Sequence, residues 1–268
     1  MVERAFRFGV VAGRVESRSQ WTGFAKQVED VGFDTLLMPD TVNVAAPFSA
    51  LGSAAAVTTD LRLGTFVLAT PLRPAAAIAW ETASLGRLSD GRFELGLGAG
   101  RPDAAREAEL FGLPFGTPGE RVDQVAAAVR ALGNDRPRIM IAAAGKRMLG
   151  LAGREADIVN LALPPASGEA DVAATVERLR EVAGSRFDQL ELCYNTFAVG
   201  AVDALPPWAG IQPEQARNNK VLAVLTGSPG EIANVLLRRR AELGISYVAV
   251  NQYAMEAFAP VIDLLSGQ

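Results

Sequence analysis

Short β-rich runs and helical patterns alternate along this chain from one end to the other, and that rhythm limits the fold more than any single motif does. FRFGVVA (6–12), DTLLMPD (34–40), LRLGTFVLATP (61–71) and RFELGLGAG (92–100) read as strands. RIMIAAAG (138–145), DIVNLALPP, LELCYNTFAV and SYVAVNQ continue the series. Each run is followed by a helical pattern. After the first, Trp21, Phe24, Ala25, Val28 and Val31 recur at three- and four-residue spacing up to Gly32, which marks one buried helix face and its stop. Near the end, Ser228, Pro229 and Glu231 form a capping box that opens a helix closed by Gly244. Strict alternation of this kind builds a parallel sheet, either open and doubly wound or closed on itself. Eight units within 268 residues favour closure. The expected fold is therefore an α/β, (β/α)8 TIM barrel, a single domain over residues 1–268.

Loop lengths point to one end of that barrel. The connections after strands two, four and seven are long, the last running from about Val202 to Gly227, whereas a helix-to-strand link such as GNDRP (133–137) is short. In α/β barrels the strand-to-helix loops build the active face and the opposite loops serve stability.

Composition removes several chemistries. The chain has no histidine and one cysteine, Cys193, so histidine zinc sites, Ser-His-Asp triads and disulfide frameworks are excluded and no metal site is expected. A net charge of −4 argues against a nucleic-acid or anionic-membrane partner. The start MVERAFRFGVV lacks the apolar core of a signal peptide, and no apolar run reaches the roughly 20 residues of a membrane span, so a cytoplasmic protein is expected. Chemistry must come from carboxylates, Arg, Lys, Tyr, the backbone or a bound cofactor.

Two strand ends are bare. Gly96, Gly98 and Gly100 alternate along RFELGLGAG, as though something approaches the backbone closely. The spacing is not the G-x-G-x-x-G of a dinucleotide fold, and RPD follows instead of a helix start. In IAAAGKRML (141–149) small residues end the strand and a helix starts at Lys146 and Arg147. Lys146 is one of only three lysines. Such a start is either an anion site, because N–H groups and the helix dipole favour negative charge there, or a cramped turn with two solvated cations. Two bare ends suggest a planar or phosphorylated ligand across the barrel mouth.

The blocks PDT, LGSAAAVTTDLRLGTFVL, LGRLSDGRFELGLGAG, AAAGKRMLGLAGREADIV and LTGSPGEIANVL occur in order and resemble the bacterial-luciferase-like oxidoreductases, most closely their coenzyme F420-dependent actinobacterial branch. The resemblance implies a barrel that binds F420, or alternatively FMN, at the C-terminal mouth, usually as a homodimer. It implies a non-prolyl cis peptide among Phe66, Val67, Leu68 and Ala69 beside the cofactor ring. It places the cofactor phosphate on Ala143, Ala144, Gly145 and Lys146, with Arg147 next to them, and lets the cofactor pass Gly98 and Gly100. Two positions depart from the pattern. Thr41 stands after Asp40 where many relatives have histidine, and Arg101 stands where several have a carboxylate. Asp40 and Thr41 are the candidate catalytic pair, with a turn-capping role the alternative for Asp40. Arg101 either holds an anionic group or is a solvated loop charge.

Tyr194, Asn195 and Asn251 near strand ends are candidate substrate contacts, and Trp208 is a candidate lid aromatic or a packing residue of its loop. Glu81 and Glu94 are expected to pair with arginines. The alanine-rich SALGSAAAV and AIAWETASLGRL form either a dimer seam or ordinary barrel helices. The leading functional reading is an F420-dependent oxidoreductase acting on a small-molecule substrate. An FMN-dependent monooxygenase served by a partner flavin reductase is one alternative. A non-catalytic, flavin-binding or subunit-stabilising relative is another. A basic groove from Arg101 toward Lys146 and Arg147 would favour F420, whose tail is long and anionic.

Overall fold

A computed structural model describes residues 4–134, 136–200, 211, 214 and 221–268. The first half holds β1 (Arg7–Val11), α1 (Arg18–Asp30), β2 (Thr35–Met38), α2 (Pro47–Ala55), β3 (Arg62–Thr65), β4 (Leu68–Ala69), α3 (Ala75–Leu88), β5 (Phe93–Gly98), α4 (Ala104–Leu110) and α5 (Pro118–Ala131). The second holds β6 (Ile139–Ala143), α6 (Lys146–Glu155), β7 (Ile158–Leu161), α7 (Glu169–Ala183), β8 (Glu191–Thr196), β9 (Ala198–Val199), β10 (Val224–Leu225), α8 (Pro229–Leu243), β11 (Ile245–Asn251) and α9 (Met255–Leu265).

The principal sheet runs β3-β2-β1-β11-β8-β7-β6-β5-β4, and a further β3–β5 pairing closes it. Every ladder is parallel, with Leu63 opposite Phe93 and Gly64 opposite Glu94 at the seam. Because β4 continues β3 past a short break, this is a closed barrel of eight strands with helices outside, as the alternation predicts. The closed form wins because each strand is buried on both faces: the outward face meets helices and the inward face meets the other strands.

Period-two alternation assigns the inward face. Arg7, Thr35, Glu94 and Glu191 join near the N-terminal end of the barrel, where Arg7 donates to Glu191 and Glu94 at 2.8 Å each and to Thr35 at 3.2 Å. Leu37, Met140, Ile158, Cys193 and Tyr247 pack as an apolar cluster farther in. The opposite parity, including Leu36, Leu97, Ile141, Val159, Leu192 and Val248, packs into the main core shared with the helices.

Three strand readings need correction. LRLGTFVLATP is not continuous: a cis peptide joins Phe66 and Val67 between β3 and β4, and residues 70–72 form a single 3-10 turn. RFELGLGAG ends as a strand at Gly98, and Gly100 turns away with φ of +77°. LELCYNTFAV divides at Phe197, because Ala198–Val199 leaves the barrel and pairs with β10 in a separate two-stranded sheet. The long connection after the fourth barrel strand also contains α4, a helix the sequence pattern did not reveal.

Candidate active site at the barrel mouth

At the C-terminal mouth lies a cavity of about 700 Å³ whose lining includes Asp40, Phe66, Val67, Ala69, Gly98, Gly100, Arg101, Asn195 and Asn251. Nine of the sequence-predicted positions thus share one cavity. Its wall is small-sided where Ala69, Gly98, Ala99 and Ala142 meet. Leu68 and Ala143 lie one residue off this parity; their side chains are buried in the main core.

The glycines have a different cause from the one expected. A Cβ on Gly96 would sit 2.0 Å from the Thr65 carbonyl oxygen, and one on Gly98 would sit 2.7 Å from Val67 Cγ2. Space beside these glycines is already taken by the β3–β4 segment, so they admit the neighbouring chain, and Gly98 also lines the cavity. Gly100 is a turn residue whose added Cβ would meet the Phe115 ring at 3.2 Å.

Asp40 is 7% exposed and fully engaged. Its two oxygens accept from Arg73 at 2.7 and 2.9 Å, and Oδ2 also accepts from the Ala69 N–H at 2.9 Å. The carboxylate fixes the chain just after the cis peptide, a structural role other than the turn cap expected for it. Arg73, which completes this contact, was not singled out in the sequence. Thr41 does not line the cavity; it donates to Glu107 Oε1 at 2.7 Å. Glu107, on α4, is buried and also ion-paired with Arg101. Arg101 further pairs with Asp103 at 2.8 Å and donates to the Asp40 carbonyl at 3.1 Å. Its charge is therefore met by two carboxylates, while 38% of its side chain stays exposed.

The start of α6 is open. Gly145 is its N-cap without a side-chain cap bond, and a Cβ there would meet nothing within 4 Å. Gly145, Lys146 and Arg147 are exposed and Ala144 half-buried. Arg147 pairs with Asp123 at 2.9 Å.

On the far wall, Asn160 of β7 and Asn195 of β8 line both the mouth and an adjoining side pocket of about 210 Å³. The Oδ1 atoms of both are buried without a hydrogen-bond partner. Asn160 was missed in the sequence, although its parity with Ile158 was available as a signal. Tyr194, one residue from Asn195, faces the helix layer: its hydroxyl accepts from Arg239 at 3.0 Å. It touches the side pocket but not the mouth. The Asn251 Oδ1 accepts from the Tyr253 N–H at 3.1 Å. Trp208 lies outside the described residues.

Glu94 pairs as expected, with Arg7 at 2.8 Å and Arg62 at 2.6 Å. Glu81 does not reach an arginine: its Oε2 is buried without a partner, and burial pushes its pKa up against the pull of Arg73. Among the described residues no group of His, Cys, Asp and Glu is arranged to hold a metal, and no helix is long and apolar enough to cross a membrane.

A family model described as luciferase-like monooxygenase matches residues 7–204. Uncharacterized protein Rv0940c of Mycobacterium tuberculosis is 33% identical over 137 residues, 40% of this chain and 45% of the relative, so the match spans about half that relative's length. Among solved structures, an F420-dependent secondary alcohol dehydrogenase in complex with an F420-acetone adduct superposes with a TM-score of 0.77 at 16% identity, covering 98% of this chain and 99% of the other. The FMN complex of the oxygenating constituent of 3,6-diketocamphane monooxygenase from Pseudomonas putida has a TM-score of 0.72 at 16% identity, covering 97% and 95%. These structural likenesses establish the shared barrel.

Proposed function

The chain belongs to the luciferase-like monooxygenase family, and on that premise we propose that it is an F420-dependent oxidoreductase that moves a hydride between the deazaflavin and a small organic substrate. The observation that carries this reading is the mouth itself: an approximately 700 Å³ cavity with a small-residue wall and, among the described residues that line it, no uncommitted acid or base. A reaction whose chemistry resides in a bound cofactor needs binding, orientation and exclusion of water from the protein. The mouth residues fit that division of labour.

The fit to a phosphorylated tricycle rests on two features. The uncapped start of α6 leaves its first N–H groups free for an anion, with Lys146 beside them. Ala69, Ala99 and Ala142 keep the wall of the mouth small-sided, which leaves room for a flat ring. When bound, F420 would supply hydride donation or acceptance. Ala69, Gly98, Ala99 and Ala142 would bound its ring, Phe66 and Val67 would flank it, and the Asp40–Arg73 contact would hold that segment in place.

A second reading has its own support. Arg101 is paired with Glu107 and Asp103, and Arg147 with Asp123, so of the three cations expected to form a basic groove for a long anionic tail only Lys146 is without an ion pair among the described residues. FMN, with a single phosphate, asks only for the α6 start. In that case the protein would be a monooxygenase fed by a partner flavin reductase. In either case a homodimer through α2 and α3 is proposed; Trp80 on α3 is 74% exposed and would be covered there.

Titration of the purified protein with F420 and with FMN, followed by cofactor fluorescence, tests both readings. Tight F420 binding with weak FMN binding supports the hydride-transfer enzyme, and the reverse preference supports the monooxygenase. Failure of both to bind at micromolar concentration would leave the non-catalytic reading.

A further inference from the structure

The two orphaned amides deepen that reading to a substrate class. Asn160 is 8% exposed, and its Oδ1 has no partner; Asn195 Oδ1, two residues beyond the register partner of Asn160, is in the same condition. A buried acceptor without a donor costs about 1–3 kcal/mol, so a pair of them at a cavity wall is stable only if water or a ligand serves them. Both residues line the mouth and the adjoining 210 Å³ side pocket.

Beyond the amides that pocket is mainly apolar. Leu161, Leu163, Val172, Phe197 and Leu222 are among its lining, and no charged residue lines it among the described residues. Ser167 and Tyr194 also line it, and the Tyr194 hydroxyl is occupied by Arg239. A carboxylate or phosphate placed here would lose its hydration and meet two amide oxygens instead of a cation. A hydroxyl or N–H on an apolar body would satisfy the amides and fill the pocket.

We propose that Asn160 and Asn195 are specificity-determining residues that select an uncharged substrate carrying a hydroxyl or N–H donor on a compact apolar body, with that donor held at the junction of mouth and side pocket. This inference rests on the mouth being the substrate site of the proposed function.

The test uses the full chain, with and without bound cofactor, and two probes of the same carbon skeleton: cyclohexanol and cyclohexanecarboxylate. Binding is read by ligand-observed NMR, and cofactor affinity by fluorescence, for the wild type, Asn160→Leu and Asn195→Leu. Cyclohexanol is expected to bind at least about tenfold tighter than the carboxylate, a difference of about 1.4 kcal/mol. Each Asn→Leu variant should lose most of that preference while its cofactor affinity stays within about twofold. Equal or tighter carboxylate binding by the wild type overturns the proposal, and this comparison needs no variant to fold. So does a variant that keeps the preference, or one that loses cofactor affinity in step, since the amides would then hold the cofactor. If neither F420 nor FMN binds the wild type, the proposed function fails, while the cofactor-free NMR comparison still decides the selectivity of the pocket.

Discussion

Asp40 holds Arg73 through both carboxylate oxygens, at 2.7 and 2.9 Å, and the same carboxylate takes the Ala69 N–H. One residue at the end of β2 thereby fixes the backbone of β4 and the turn after it, which together form a side of the mouth. A carboxylate so engaged is a structural tie.

Replacing Asp40 by Asn should therefore act on stability first. Breaking a buried pair on one side leaves the other charge uncompensated, and the expected loss is about 2–4 kcal/mol, toward the lower end because water still reaches part of Arg73. Urea unfolding measures it. The pH dependence of turnover should keep its shape; a titrating step that vanishes with Asp40→Asn would show that the carboxylate exchanges protons in catalysis after all.

Gly96→Ala and Gly145→Ala should separate two kinds of glycine. The first places a Cβ 2.0 Å from the backbone oxygen of Thr65, where nothing can yield without moving β3; insoluble expression or loss of cooperative unfolding is expected. The second adds a methyl group to open space at φ of −78°, and its melting temperature should stay within about 2 °C of the wild type. A well-folded Gly96→Ala protein would mean that β3 and β5 sit farther apart than described.

Acid stability should depend on Glu169. Hydrogen bonds from Arg238, opposed by burial and reinforced by Arg239, lower its pKa from 4.5 to about 2. A carboxylate depressed by folding binds fewer protons when native, so its contribution is complete above the unfolded pKa and disappears as pH falls through the folded one. Wild type and Glu169→Gln should differ most above about pH 4.5 and converge near pH 2. The partner at risk is Arg239, which is wholly buried and bonded to Glu169 at 2.9 Å. A stability gap that persists unchanged to pH 2 would remove the charge from the explanation.

Lys146 and Arg147 begin the same helix but should not contribute equally. Arg147 is already paired with Asp123, whereas no ion pair engages Lys146 among the described residues. Lys146→Ala should weaken cofactor binding about 3- to 10-fold, in keeping with a surface charge near a helix start. Arg147→Ala should change it less than twofold. Fluorescence titration of both variants at low salt decides this, and equal effects would argue against phosphate binding at this end of α6.

How far the sequence revealed the site follows from where each residue's constraint lies. Asp40, Arg101 and Asn195 stand at strand ends, so the barrel alone brings them to the mouth, and their positions were legible. Tyr194 was expected at the mouth and lines the side pocket instead, because a strand end was recognised without its parity and one residue of shift turns a side chain toward the helix layer. Asn160 sits in DIVNLALPP with no motif around it, and its importance comes only from what fails to bond with it. The glycines of RFELGLGAG were noticed for the right reason, a close approach, but the approaching group is Val67 and the Thr65 backbone.

The sequence by itself determined the eight-unit barrel, its mouth and its caps, because periodicity and capping depend on neighbours a few residues apart in the chain. Tertiary structure alone decided which polar groups are spoken for. Arg73 is 33 residues from Asp40, Glu107 is 66 from Thr41, and Arg239 is 45 from Tyr194. Whether a carboxylate is a tie or a proton carrier, and whether an amide is satisfied or waiting for a ligand, depends on partners that only closure of the barrel brings within hydrogen-bonding distance.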